Sequence, residues 1–501
     1  MTDGDARSGA PRGRVIRGRP LGPALILTAA CLAVATFALL DLAIKSAIDL
    51  NPGWDGLAYH LPFAALRAGL PIPYDMRDGL WPRYEGFPAL PELTQGVLWR
   101  LTGSVNATGV VNVAAFGLFL VGCHTVLRAP FWLVALISLT APLVVIHTTV
   151  GYVDLFGNAF LAIGIGSCLY AYLYPGRPQR AVTVGGLAAL AAAAWCKFQL
   201  VPVVAVIFIL FAVIVLRSVA PDRLSRRWAV LLILVLVTVA VAPYAKNLAV
   251  YGNPFWPERV PIAGALFPYV EDGSTAGAAT ARPAALVGAP QAQVFVMSLL
   301  EIDVPTSNNP RWLLDEGLPG GGLRMGGFWG LGSVAYLLVA FGVLIACHRK
   351  RGVFASVAGL GLLCLVAVLP QSNELRYYMF IPLTWAAAIG MTYPLLRGRY
   401  PRAAVGLLVL VLALFGCMVS ENWVYYQIKK VDYHDAAVAS GAAGWWPKLQ
   451  QGRTYCVVDM LYLGLEMTGP TMSEYSIVDR SAESLCPAGT ILVTRAGVQQ
   501  P

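Results

Sequence analysis

The sequence predicts an all-α polytopic membrane protein of about eleven transmembrane helices. Interfacial helices are expected in its first outer loop, and a small C-terminal α/β domain outside the membrane. Of 501 residues, 57% are hydrophobic and 13% charged, and the mean hydropathy is +0.65. Soluble globular chains carry about a quarter charged residues, so composition alone selects a membrane protein. Eleven stretches are apolar over roughly the 20 residues needed to cross about 30 Å of hydrocarbon. They lie near 22–46, 108–127, 130–147, 155–174, 181–197, 200–217, 228–247, 326–347, 353–370, 377–396 and 402–420.

The basic residues supply the topology. Arg12, Arg14, Arg17 and Arg19 precede the first stretch. Arg128, the pair Arg177 and Arg180, the group Arg217, Arg223, Arg226 and Arg227, the run Arg349, Lys350 and Arg351, and the group Arg397, Arg399 and Arg402 follow between later ones. All fall on one side if the spans alternate. Short cytoplasmic loops collect Lys and Arg, so the 1–21 tail is expected in the cytoplasm and the C-terminus outside. The net charge of +9 then reports orientation, and a nucleic-acid partner is not needed to explain it.

The first apolar segment is too long for a removable signal peptide and lacks a small-residue cleavage site, so it reads as a retained anchor. The membrane domain covers 22–420 and leaves three large outer segments: 51–107, 248–325 and the 421–501 domain. In the first, WDGLAYHLPFAALRAGLP has near-helical apolar spacing and reads as one or two short interfacial helices, with Trp54 and Tyr59 suited to headgroup depth. The remainder, PYDMRDGLWPRYEGFPALPELTQ, is rich in proline and aromatics and reads as ordered but irregular. The second loop opens with the turn-type run YGNPFWP. It passes through a Gly/Ala/Thr-rich stretch (272–290) and reaches an amphipathic helix near QAQVFVMSLLEI. In the tail, TYCVVDM and GTILVTR read as short strands. Seven of the nine cysteines fall in or beside spans as apolar fillers. Cys456 and Cys486 are the pair in the outer tail, where an oxidising compartment favours a disulfide.

Chemistry is expected on the outer face, where the large loops lie. Asp55 follows the first span, and Asp154, in HTTVGYVDLFGNAF, takes the matching place between spans three and four. A carboxylate beside hydrocarbon is costly unless hydrated, paired or bound to a cation. Two carboxylates at one depth suit general-base activation of a hydroxyl. They equally suit oxygen coordination of Mg²⁺ or Mn²⁺, with His60 as a further metal ligand or acid/base. The plain alternative is a pair of solvated helix-end residues, with Asp55 capping the helix that follows. Arg376, in QSNELRYYMFIPL, offers a planar donor fork for a phosphate, with Glu374 to hold it. Lys246 and Lys197, at other outer span ends, complete an anion-binding rim, unless each is simply snorkelling. No Walker loop, His/Cys zinc pattern or GxSxG occurs, which excludes a nucleotide cofactor and serine-type chemistry as expectations.

These residues form a set that resembles the GT-C membrane glycosyltransferases. The likeness is to the bacterial branch related to protein O-mannosyltransferases and the aminoarabinose transferase of lipid A. The outer-loop Asp in WDGLAYHLPFA, the second-loop acidic position in GYVDLFGNAF, the run APYAKNLAVYGNPFWP and the late element ELRYYMFIPL agree with that family in order, spacing and side. The resemblance covers about residues 20–420. It implies a GT-C-like fold and an enzyme of a bacterial inner (plasma) membrane. Such an enzyme moves a sugar from a polyprenyl-phosphate donor to a lipid, polysaccharide or protein acceptor at the outer face, with inversion. Asp55 would be the catalytic base or a metal-linked group, and Arg376 the contact to the donor phosphate. Trp54, Tyr59, His60 and Glu374 would touch substrate. Many family members carry a second acidic residue beside the first-loop Asp; here that place is Gly56, which leaves Asp154 or His60 to complete any metal set.

Two other classes share the composition. A lipid or glycan transporter or flippase would use the same charges as a path, but they gather at span ends rather than mid-bilayer, and paired broken helices are not evident. A non-catalytic glycan-assembly partner would bind through its loops and be indifferent to Asp55.

Overall fold

The computed structural model describes residues 22–49, 55–70, 74–75, 80–175, 180–218, 223–259, 267–270, 286–302, 312, 325–428, 450, 452–458, 476–480, 484, 486–494 and 497–499. Trp54, the basic tail 1–21 and most of the 272–290 stretch lie outside these residues.

The bundle begins with α1 (Pro23–Ile48). A first-loop group follows: a single π-helical turn (Gly56–His60), α2 (Leu61–Arg67), α3 (Leu80–Gly86) and α4 (Leu90–Thr102). The region expected to be irregular therefore holds two helices. Its prolines do not break them, because Pro91 stands in the first turn of α4, where no intrahelical N–H bond is lost. The membrane helices continue as α5 (Val110–Thr125), α6 (Phe131–Leu139), α7 (Pro142–Thr148), α8 (Asp154–Leu173), α9 (Arg180–Ala194), α10 (Val201–Ser218) and α11 (Arg223–Tyr251). After the second loop, whose amphipathic run forms α12 (Gln291–Leu300), come α13 (Gly330–His348), α14 (Lys350–Val368), α15 (Phe380–Arg399) and α16 (Pro401–Glu421).

Among the described residues nine helices are long and apolar enough to cross a membrane, ten if the bent pair α6–α7 is one crossing. That pair turns through 103° ahead of Pro142, which cannot continue the ladder of α6. The Leu143 N–H freed by the break is taken by the Gly327 carbonyl at 2.9 Å. The remaining expected crossing is α9, whose 15 residues reach only about 22 Å. It still runs antiparallel to α8, ending next to Lys197 beside the first residue of α8. Small residues let it press close: a Cβ on Gly186 would lie 2.5 Å from both Ser167 and Phe211.

Contacts confirm the alternation of sides. At one end, Arg399 of α15 donates to the Cys347 carbonyl at the end of α13, and Tyr174 meets His348 ring to ring at 5.1 Å. At the other, Lys45 of α1 reaches the Gln427 carbonyl after α16, and Gln291 of α12 reaches Ser372 after α14. The Leu90 N–H also bonds the Trp195 carbonyl there. The large loops share this second end. The span that includes α15 is 83% buried and forms the centre of the bundle, whereas that of α11 is 17% buried and peripheral.

The tail forms the expected strands β2 (Thr454–Val458) and β4 (Ile491–Thr494), with β3 (Ser476–Arg480) and β5 (Gly497–Gln499). The five-stranded sheet has the order β1-β3-β2-β4-β5, and β1 is Tyr74–Asp75 of the first loop, parallel to β3. The sheet therefore crosses the boundary drawn at 421. Cys456 and Cys486 are joined as expected, closing a segment of 30 residues.

The first loop depends on one close approach. A Cβ on Gly96 of α4 would sit 2.0 Å from the Ala64 carbonyl of α2. Backbone cannot yield as a side chain can, so Gly96→Ala should cost about 1–3 kcal/mol, read as a lowered midpoint of thermal unfolding in detergent. Reducing Cys456–Cys486 should destabilise the tail by about 2–4 kcal/mol, read as faster proteolysis within 450–501 while the helical circular dichroism is kept.

Candidate active site

Asp55 stands at the start of the π-turn, 4% exposed, and does not cap it. Its backbone N–H donates to the Tyr152 hydroxyl at 2.8 Å. Its carboxylate faces Arg376, whose Nη1 donates to Oδ2 at 2.9 Å. Arg376 is itself 5% exposed; Nη2 donates to the Tyr377 hydroxyl at 2.8 Å, and Nε lies 3.5 Å from Glu374 Oε2. The guanidinium also sits 5.6 Å from the Tyr152 ring centre and 4.8 Å from that of Tyr377, within cation–π range.

A second pair lies alongside. Lys197, in the turn after α9, bonds Asp154 Oδ1, and its ammonium sits 4.4 Å from the Tyr377 ring. His147 Nδ1 approaches Asp154 Oδ2 at 4.0 Å. Tyr377 thus serves both cations. Asn158, one turn into α8, locks the arrangement: its amide donates to the Asp154 and Arg376 carbonyls, at 2.8 and 3.4 Å, and its Oδ1 accepts the Phe380 N–H at 2.8 Å. Gln199 and Gln371 join the two turns at 3.2 Å.

The structure brings Asp55, Asp154, Arg376, Lys197, Glu374, Tyr59 and His60 to one buried cluster. The expected bare cationic rim is not what forms. Arg376 and Lys197 are each met by a carboxylate, since a buried cation without a counter-charge is very costly. Lys246 is not part of the cluster: it bonds the Glu85 carbonyl and lies 5.7 Å from the Tyr251 ring, on the first-loop rim. Asp55, Asp154 and His60 each face a protein partner, and among the described residues no three His, Cys, Asp or Glu converge as ligands. A groove of about 480 Å³ lined by Arg226, Arg227, Val230, Leu231 and Leu234 lies at the opposite, basic end of the bundle.

Several contributors carried weak or no sequence signal. Tyr152 and Asn158 flank Asp154 in a stretch chosen only for its carboxylate. Tyr377 adjoins Arg376. Glu92, which accepts from His60 Nδ1 at 3.0 Å, sits in PELTQ, where an acid in a helix's first turn would ordinarily be solvated.

Burial alone would raise the Asp55 carboxyl, but Arg376 leads the opposing charges and the group lies below its ordinary value of 3.8. Burial, then the charge of Asp55, pushes the Tyr59 hydroxyl well above its ordinary 10.0.

Fold and cluster together define a polytopic membrane protein with a buried polar centre at its loop-bearing end. The chain is similar to the crystal structure of ArnT from Cupriavidus metallidurans bound to undecaprenyl phosphate, with a TM-score of 0.51 and 14% identity over 91% of this chain and 86% of that one. Against the apo form of the same protein the score is 0.49 at equal identity and coverage. No family model and no curated protein matches the chain.

The ion pair has a thermodynamic signature. Asp55→Asn and Arg376→Gln should each cost about 3 kcal/mol, the double variant less than their sum, by thermal unfolding in detergent. A carboxyl with a lowered folded pKa contributes stability above its unfolded value, lost as pH falls through the folded one. The wild type should therefore lose stability below about pH 4 more steeply than Asp55→Asn.

Proposed function

We propose that this protein is a glycosyltransferase of a bacterial inner membrane. It moves a sugar from a polyprenyl-phosphate donor to a cell-envelope acceptor at the outer face, with inversion and with Asp55 as the general base. The fold shared with ArnT, whose structure holds undecaprenyl phosphate, supports a polyprenyl-linked donor. The observation that carries the mechanism is the buried Asp55–Arg376 pair at the loop-bearing end.

The donor is a phosphodiester with one negative charge, and its phosphate competes with Asp55 for the Arg376 fork, with Lys197 close by. Once Arg376 turns to phosphate, Asp55 loses its main cationic partner and its proton affinity rises. It can then accept the proton of an acceptor hydroxyl. The hydroxyl oxygen forms its bond to the anomeric carbon from the face opposite the phosphate, and the anomeric carbon–oxygen bond to phosphate breaks. Polyprenyl phosphate leaves with its second negative charge developing against Arg376, which lowers the barrier where charge appears. The proton ends on Asp55 and returns to solvent as the ion pair re-forms.

Purified protein in lipid nanodiscs should transfer label from a panel of radiolabelled polyprenyl-phosphate sugars to crude membrane acceptor. Asp55→Asn should lower the rate by about 10²–10⁴-fold. Its affinity for bare undecaprenyl phosphate should be retained or tightened, because the competitor for Arg376 is neutralised. Arms with EDTA and with Mn²⁺ measure any use of a divalent cation. Equal transfer by wild type and Asp55→Asn would remove Asp55 as base and move the role to Asp154.

A further inference from the structure

Beside Asp55 lies a set of groups that the transfer chemistry above does not use. An α-helix would put residues 55 and 60 roughly 140° apart around its axis. The π-turn, with its i→i+5 bond from the Leu61 N–H to the Gly56 carbonyl, brings His60 round toward the side of Asp55. His60 is 1% exposed and its Nδ1 meets Glu92 Oε1 at 3.0 Å. A carboxylate only accepts, so Nδ1 carries a proton, and in the neutral ring Nε2 is then an acceptor. Glu92 is 2% exposed, and Gln95, one turn further along α4, is wholly buried. The Gln95 amide donates to the Gly151 carbonyl at 2.9 Å, one residue before Tyr152, whose hydroxyl holds the Asp55 N–H.

Three acceptors remain: His60 Nε2, Glu92 Oε2 and Gln95 Oε1. Each is buried with no hydrogen-bond partner among the described residues. Buried polar atoms are rarely left so, and three on adjoining side chains call for a ligand made of donors. The Tyr59 and Tyr152 rings flank His60 at 4.3 and 6.1 Å between centroids. A sugar ring supplies donors at short spacing through its vicinal hydroxyls and an apolar face for an aromatic through its C–H groups.

We propose that Glu92, His60 and Gln95 form a sugar-hydroxyl subsite beside Asp55, with Glu92 fixing the His60 tautomer that makes it an acceptor. The proposal rests on the glycosyl-transfer reading and names the part of the cluster that holds the sugar. The hydroxyls can belong to the donor's sugar or to a glycan acceptor, and the two are separated by experiment.

The probes are undecaprenyl phosphate with no sugar and the same lipid carrying a single glucosyl, mannosyl or arabinosyl group, measured against the full-length protein in nanodiscs. Glu92→Gln keeps an acceptor for His60 Nδ1 and turns the spare oxygen into a donor; Gln95→Leu removes another acceptor. For a donor subsite, wild type binds one sugar-bearing lipid more tightly than bare lipid. Both variants then lose at least about tenfold on that lipid, with bare-lipid affinity unchanged. For an acceptor subsite, lipid affinities are unchanged by the variants while the half-saturating amount of crude membrane acceptor rises. Equal weakening toward bare and sugar-bearing lipid means a structural role only and overturns the proposal. No change in either arm overturns it too, with the polyprenyl reading intact. Failure of wild type to bind any of the lipids overturns that reading and the subsite with it.

Discussion

A buried carboxylate and a buried guanidinium, 321 residues apart in the chain, meet at the loop-bearing end of this bundle. Neither could be kept from water alone, because the desolvation cost of a lone charge far exceeds what packing returns. The pair therefore ties the first loop, the entry to α8 and the turn before α15 into one unit. Its geometry is held from both sides. Tyr152 fixes the backbone of Asp55, and Asn158 grips the carbonyl of Arg376 and the N–H of Phe380. The most buried of the nine long spans thus begins at the ion pair.

The same neutralisation shapes what can bind. Arg376 and Lys197 already have carboxylate partners, so a phosphate would reach them only by exchange. In the proposed sugar transfer that exchange would link two events: a cation becomes available to the phosphate, and a carboxylate becomes available to a proton. Tyr377, between the two cations, gives each a π face that does not compete for the anion.

The first loop and the tail reinforce this centre. Strand β1 of the first loop pairs with β3, so the tail sheet holds the loop that carries Asp55 and His60. The disulfide staples that sheet between β2 and the approach to β4. On the membrane side, Gly96 lets α4 lie against α2 at backbone distance, which carries Glu92 to His60.

Much was legible in the chain by itself. The spans, their alternation, the placing of Asp55, Asp154, Lys197 and Arg376 at one end of the bundle, the strands around Cys456 and the disulfide follow from local apolar length, charge position and cysteine placement. A bilayer makes those local properties decisive, since it demands about 20 apolar residues per crossing whatever the neighbours are. The partners were decided only by the tertiary structure. Lys246 and Lys197 both stand toward the loop-bearing end, yet one meets a first-loop carbonyl and the other Asp154, because α11 stands at the rim and α9 against α8. Glu92 and Gln95 look like solvated residues at a helix start until α2 and the Gly151 turn close over them. The close seat of α9 and the break before Pro142 likewise depend on neighbours: Gly186 lets one helix press against Ser167, and the distant Gly327 carbonyl receives the N–H the other frees. Depth and side are properties of a segment, whereas pairing across the bundle depends on how the helices pack.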